Sequence, residues 1–248
     1  VDEICSAVRD LYNEQRAIAE PAGALGIAGL KRWVATTGEQ GRTLAAVISG
    51  ANVNFDRLRH IAERAELGDR KETLLAATIP ERPGSFRAFL KLLGRRVVTE
   101  FNYRYAGPQQ AHIFAGVQFA DAEDRERVMA ALREKDIAVV DLSDDEMAKM
   151  HIRFMVGGHA PGAADERLFR FEFPERPGAL GDFLRAIGGR WNISLFHYRN
   201  HGAAYGRVLC GLQVPRGELR ECRQTLDGLG YAWTEETDNP AYALFLGP

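Results

Sequence analysis

Apolar residues recur at helical spacing at the start of the chain, at Ile4, Val8, Leu11 and Tyr12, with Asp2 placed to cap that helix. A second helix is predicted near residues 27–36, after the Gly/Ala-rich stretch Ala19-Glu20-Pro21-Ala22-Gly23-Ala24-Leu25. The apolar run Leu44-Ala45-Ala46-Val47-Ile48 reads as a short buried strand ending in Ser49-Gly50-Ala51-Asn52, and residues 57–65 as a helix. Open α/β folds place ligand-binding groups at the carboxyl end of such a strand. From residue 73 the pattern changes to strand (73–80), helix opened by Pro83-Gly84, and strands (96–105 and 111–119) joined at Ala106-Gly107-Pro108. A helix (121–133) and a closing strand (137–142) complete this set.

The set then repeats. Ile79-Pro80-Glu81-Arg82-Pro83-Gly84 returns as Phe173-Pro174-Glu175-Arg176-Pro177-Gly178, each copy leading into an apolar helical run that ends at Gly94 or Gly188. Phe101-Asn102-Tyr103-Arg104 is answered by Phe196-His197-Tyr198-Arg199, and His112-Ile113-Phe114-Ala115-Gly116-Val117 by Arg207-Val208-Leu209-Cys210-Gly211-Leu212. The offset is 94 residues before the helix end and 95 after it, so one single-residue gap aligns everything. The second copy reads as a strand from Leu168, a helix from Gly178, strands near 191–199 and 205–214, a helix over 218–229 and a strand from Tyr231. Each copy is expected to gain a tail strand, 151–156 and 242–246. The class is α+β: two tandem ferredoxin-like βαββαβ modules with antiparallel sheets and helices on one face. The predicted domains are 1–68, 69–158 and 159–248.

Composition narrows the function. At 248 residues the chain holds one or two domains, or three small ones, on a prior of roughly 150 residues each. With 46% hydrophobic and 27% charged residues it is a soluble globular protein, not a disordered or collagen-like one. Its longest uncharged stretch, residues 43–55, is too short for the roughly 20 residues of a membrane helix, so no membrane partner is expected. A net charge of −2 leaves no electrostatic footprint for nucleic acid. The three cysteines, Cys5, Cys210 and Cys222, lack CxxC spacing and read as reduced thiols of a cytoplasmic protein. His197 and His201 fall on a strand and turn that would not converge them, so no metal site is expected. The opening Val1-Asp2-Glu3, without initiator methionine, basic n-region or apolar h-region, suggests a fragment with no signal peptide.

Ala-Glu-Pro-Ala-Gly-Ala at 19–24, followed by Ser-Gly-Ala-Asn at 49–52, resembles the end of the catalytic domain of fold-type II pyridoxal-phosphate enzymes. Val98-Thr99-Glu100-Phe101-Asn102-Tyr103-Arg104, Asp141-Leu142-Ser143-Asp144-Asp145-Glu146 and Ile193-Ser194-Leu195-Phe196-His197-Tyr198-Arg199 are similar to the tandem ACT-like regulatory modules of the biosynthetic threonine dehydratase family. The resemblance covers essentially the whole chain. It implies a parent enzyme, a homotetramer, that converts L-threonine to 2-oxobutanoate in isoleucine synthesis, inhibited by isoleucine with valine as opposing effector. In the family the serine matching Ser49 hydrogen-bonds the pyridine nitrogen of pyridoxal phosphate; a neutral hydroxyl there limits electron withdrawal and favours β-elimination. Glu20 lies by the same pocket in the family without an assignable role. The family's Schiff-base lysine context and glycine-rich phosphate loop are absent, so this chain alone should bind no cofactor and be inactive.

An amino-acid effector needs donors for its carboxylate, acceptors for its ammonium and an apolar wall. The turns at Gly84-Ser85 and Gly178-Ala179 place backbone N–H groups at helix starts, and Phe86 and Leu180 offer the wall. Tyr103 and Tyr198, which the resemblance also implies as effector contacts, add a ring and a hydroxyl. The acidic run 141–146 reads as a solvated strand-to-helix junction with Ser143 capping the turn into Met147. Two other classes compete: a stand-alone ACT-type sensor, which leaves Ser-Gly-Ala-Asn unexplained, and an RRM-like RNA binder. The second rests on residues 113–119 as a faint RNP1 echo without its leading basic-glycine-aromatic triplet.

Overall fold

The structure, a computed structural model, describes residues 1–68, 72–174, 176–187, 189–199 and 205–247, without the side chains of residues 66–68, 173–174 and 186. Glu175, Gly188 and His201 from the sequence reading therefore lie outside the described residues. The chain divides into two compact units, Val1–Glu72 and Thr73–Pro248.

The first unit packs three helices, α1 (Asp2–Gln15), α2 (Pro21–Thr37) and α3 (Phe55–Gly68), around Cys5, Val8, Leu11, Ala24, Ala28, Ile61 and Ala65. Val1 rather than Asp2 holds the cap position of α1; Asp2 sits in the first turn, its carboxylate 2.5 Å from Arg64 Nε of α3. α2 starts earlier than the periodicity suggested because Pro21 fits the first helical turn, where its missing N–H costs nothing. The expected strand at residues 44–48 does not form: the segment is irregular, and Val47 is 82% exposed. A strand needs a neighbour for its N–H and C=O groups, and among the described residues this unit supplies no other strand before Glu72.

The second unit carries the repeat. Its first module comprises β1 (Glu72–Pro80), α4 (Ser85–Leu93), β2 (Val98–Arg104), β3 (Gln110–Gln118), α5 (Ala122–Arg133) and β4 (Ala138–Asp141). Between the modules lie α6 (Glu146–Met150) and a 3-10 turn, Ile152–Phe154. The second module comprises β5 (Glu166–Pro174), α7 (Ala179–Ile187), β6 (Asn192–Arg199), β7 (Tyr205–Gln213), α8 (Leu219–Asp227) and β8 (Ala232–Glu235), followed by α9 (Pro240–Phe245). Neither expected tail strand forms: residues 151–156 hold the 3-10 turn followed by irregular chain, and residues 242–246 lie in α9 and its C-cap. Short apolar runs are ambiguous by periodicity, and at the second tail local chemistry decides, since Asn239 accepts from Ala241 N and Pro240 sits in the first turn of α9. Just before the first tail, Asp145 accepts from Ala148 N and caps α6. Ser143 is not that cap; its Oγ accepts from Leu74 N at 3.0 Å and ties the acidic junction to β1.

The strands form one eight-stranded sheet in the order β4-β1-β3-β2-β6-β7-β5-β8, so the modules join through antiparallel β2 and β6. Phe101 pairs with Tyr198 and Tyr103 with Phe196, while Asn102 stands opposite His197, its own repeat equivalent. A pseudo-twofold axis therefore passes through this pair. Equivalent irregularities interrupt both strands, between Val98 and Glu100 and between Ile193 and Leu195. One core fills the helical face without a break from Phe86 and Phe89 to Phe183 and Leu226. At the junction the Phe101 and Phe196 rings meet edge to face with centroids 5.5 Å apart.

Phe101→Ala or Phe196→Ala should each destabilise this unit by about 3–5 kcal/mol in urea unfolding. Because the rings touch, the double variant should lose less than the sum of the two; strict additivity would mean that the modules do not share a core.

Candidate functional site

The pseudo-twofold axis generates two equivalent clefts on the helical face. In each, the Pro-Gly turn and helix start of one module meet the end of the first helix and the entry of the second strand of the other. The first cleft, about 220 Å³, lies between Arg176–Gly181 and the group Leu90, Gly94 and Arg96–Val98, with Tyr198 in its lining. The second, between Arg82–Arg87 and the group Leu184, Ile187, Gly189 and Trp191–Ile193, retains only about 20 Å³. Substitutions at equivalent positions account for the difference: Trp191 replaces Arg96, Phe86 replaces Leu180, and Asn192 replaces Val97.

Of the sequence-predicted residues, Gly178, Ala179, Leu180 and Tyr198 come together in the open cleft, and Gly84 and Phe86 line the closed one. Ser85 and Tyr103 line neither. Both tyrosines are core residues, 3% exposed, because odd positions of β2 and even positions of β6 face the helices. Replacing either by alanine would open a cavity costing about 3–5 kcal/mol, so alanine variants would confound a loss of binding with a loss of stability. Tyr103 packs edge to face on Phe86 at 4.8 Å and donates its hydroxyl to Glu81 Oε2. Burial first, and then that carboxylate, push its phenol well above the usual range, so it stays a donor.

The sequence reading missed the cross-module lining and two partners, Glu81 and Asn192. Asn192 Nδ2 reaches from the second module to Glu81 Oε1 at 2.8 Å, so one carboxylate joins Tyr103 to the neighbouring module. The recurring Glu in Pro-Glu-Arg-Pro-Gly was the available signal; its counterpart Glu175 lies outside the described residues.

The open cleft is rimmed by cations. Arg95 lies beside the Pro-Gly turn: a Cβ on Gly178 would sit in ordinary contact with its guanidinium, 3.5 Å from Cζ. Arg176 Nη2 is 2.8 Å from Asp182 Oδ2, and Arg96 makes a two-point pair with Asp124 at 2.9 and 2.5 Å while donating to Leu93 O at 2.6 Å. Hydrogen bonds from Arg96 first and Arg127 second hold the Asp124 carboxyl well below the ordinary carboxylate range. Along β3, Phe114 and Phe119 are buried, so neither is presented for stacking on an RNA base.

In the first unit the two motifs meet. Glu20 N donates to Gly50 O at 2.9 Å, and a Cβ on Gly50 would collide with the Glu20 carboxylate. A Cβ on Gly23 would come within 2.8 Å of Gly50 O, so α2 and the Ser49-Gly50 loop are in backbone contact. Ser49 itself is exposed on irregular chain. Ser49 is exposed and the glycines beside it pack against Glu20 and α2, so the residues present do not by themselves fit pyridoxal phosphate. No chemistry is derived through it.

Two βαββαβ modules fused edge to edge, with paired clefts across their junction, define a tandem ferredoxin-like pair. The family described as the C-terminal regulatory domain of threonine dehydratase matches twice, over residues 63–152 and 157–246, and this chain belongs to that family. It is 52% identical over 246 residues to the L-threonine dehydratase biosynthetic IlvA of Escherichia coli, covering 99% of this chain and 48% of that protein. It is 44% identical over 258 residues to the mitochondrial threonine dehydratase of Saccharomyces cerevisiae, covering 99% and 45%. The chain thus spans about half the length of these relatives. The ligand-free regulatory subunit of aspartate kinase from Thermus thermophilus is similar at 13% identity and a TM-score of 0.26, over 64% of this chain and 92% of its own.

The depressed Asp124 carboxyl has a pH consequence. Its contribution to stability is complete above the unfolded value near pH 4 and declines as pH falls below it toward the folded value. The urea midpoint of the wild type should therefore drop on acidification below about pH 4. Asp124→Asn should flatten that limb, and an unchanged limb would show that the Arg96 pair contributes nothing to folding.

Proposed function

We propose that this chain is the feedback-regulatory part of a biosynthetic threonine dehydratase and that the open cleft beside α7 is its isoleucine site. The observation that carries this reading is the cleft itself: an amino-acid-sized space, lined by Gly178, Ala179, Leu180 and Tyr198, at the junction of two modules. The start of α7 and the Arg95 and Arg176 guanidinium groups suit a carboxylate, while Leu90, Val98 and Leu180 suit a branched aliphatic side chain. Seated between modules, a ligand would favour one arrangement of the pair over another, and feedback needs a coupling of roughly 1–3 kcal/mol. Phe86, Trp191 and Asn192 keep the equivalent cleft closed in this reading. Valine acts as the opposing effector, residues 1–68 are the tail of the pyridoxal-phosphate catalytic domain with Ser49 toward its cofactor, and the assembled enzyme is a cytoplasmic homotetramer. Identity of about half to dehydratases along 99% of the chain, residues before the regulatory match included, supports a dehydratase part over a stand-alone sensor.

Isothermal titration calorimetry of the 248-residue chain with isoleucine tests the cleft. Gly181 lines it, and a Cβ there meets nothing within 4 Å, so Gly181→Phe can obstruct the space without disturbing the core. That variant should weaken isoleucine by at least about tenfold, ~1.4 kcal/mol. Wild-type affinity in Gly181→Phe and in Tyr198→Phe would place the effector elsewhere.

The chain lacks the Schiff-base lysine context, so with added pyridoxal phosphate and threonine it should form no 2-oxobutanoate. Turnover by homogeneous chain would overturn its assignment as the regulatory part alone.

A further inference from the structure

Helix α9 lies on the face of the sheet away from the clefts, where Tyr242 packs on Leu168 and Leu195. A helix this short does not persist on its own, so α9 stays in place by what fastens it. One fastening is Tyr242, whose hydroxyl donates to Glu166 Oε2 at 2.7 Å. Burial first, and then that carboxylate, push its phenol above the usual range, so it stays a donor.

The other fastening is at the end of the helix, where the last carbonyls have no partner within it. Arg104 Nη2 donates to Leu246 O at 2.5 Å. The ring of His159, on the connection between the modules, lies with Nδ1 2.7 Å from Gly247 O and Nε2 3.2 Å from Leu244 O. A carbonyl oxygen only accepts. Both ring nitrogens therefore face acceptors, and a neutral imidazole, with one N–H, donates to one of them and turns a lone pair on the other. Only the imidazolium donates to both.

The surroundings offer no other charge that does this. Residues 240–245 of α9 carry no charged side chain. Arg104, which also donates to Gly158 O at 2.8 Å beside His159, stays charged at any ordinary pH and is held by the Glu166 carboxylate. Arg167, the other cation acting on Tyr242, is 3.9 Å from Glu235. Pro248 lies outside the described residues.

We propose that His159 is a proton-operated latch on α9: charged, it fastens the helix end to the connection between the modules; neutral, it leaves one carbonyl unbonded. Histidine is the side chain that ordinarily changes charge between about pH 5 and 8. The second bond is present on the acid side of that range and is lost as pH rises. The latch reaches the module junction as well, because the Arg104 that holds Leu246 O also holds Glu166 of the second module.

Hydrogen exchange of the full chain at about pH 5.5 and about pH 8 tests the latch, read as protection factors so that the intrinsic pH dependence of exchange divides out. The reporters are the amides of Leu246 and Gly247, both bonded to Tyr242 O. Their protection should be about fivefold higher at the lower pH, the factor expected of one net hydrogen bond. His159 is exposed, so replacing it leaves the core intact. His159→Gln, neutral at both pH values, should show the low protection at both, and His159→Arg, charged at both, the high protection at both. Equal wild-type protection at the two pH values would overturn the proposal. So would a pH dependence that survives unchanged in His159→Gln, which would assign it to another group.

Discussion

The antiparallel pairing of β2 with β6 is the constraint on which the regulatory unit depends. Each module alone is a four-stranded sheet with its second strand at an edge, and an unpaired edge both exposes hydrogen-bonding groups and invites the wrong partner. Joining the two edges satisfies those groups and merges two modest cores into one. It also explains where the clefts lie. The axis at Asn102 and His197 brings the helix start of each module beside the strand entry of the other, so neither cleft exists in a single module.

The pairing has a polar counterpart on the opposite face. Arg104 of the first module reaches the Glu166 carboxylate of the second, which also accepts from Ser194 Oγ at 2.5 Å and Tyr242 OH at 2.7 Å. A buried ion pair offsets its desolvation only when the remaining donors and acceptors are also used, and this one is saturated. The network ties the last helix to the first module through Leu246 O, so the covering segments and the junction form one piece.

The two clefts show how a duplicated scaffold becomes asymmetric through its side chains. A tryptophan in place of an arginine and a phenylalanine in place of a leucine fill one space and leave the other open. The consequence for regulation is that symmetry of fold does not entail two equal sites.

How much of this was legible beforehand follows from the range of the interactions involved. The duplication, the element order of both modules and the family were readable because they rest on periodicity, Pro-Gly punctuation and motifs that lie contiguous in the chain. The motif pair at Glu20 and Ser49-Gly50 was visible too, but not its backbone contact. Leu44–Ile48 was misread as a buried strand because an apolar run states only a preference for burial, whereas a strand also needs a neighbour to bond. The tails were misread because short apolar runs fit either period; the cap at Asn239 settled the second, and the first holds only a 3-10 turn. Tyr103 and Tyr198 were picked by their repeat equivalence, but their burial, the Glu81–Asn192 bridge and the cross-module clefts depend on the register of β2 against β6. That register is chosen by packing between residues about 95 positions apart, which no local pattern encodes, and so only the tertiary structure could decide it.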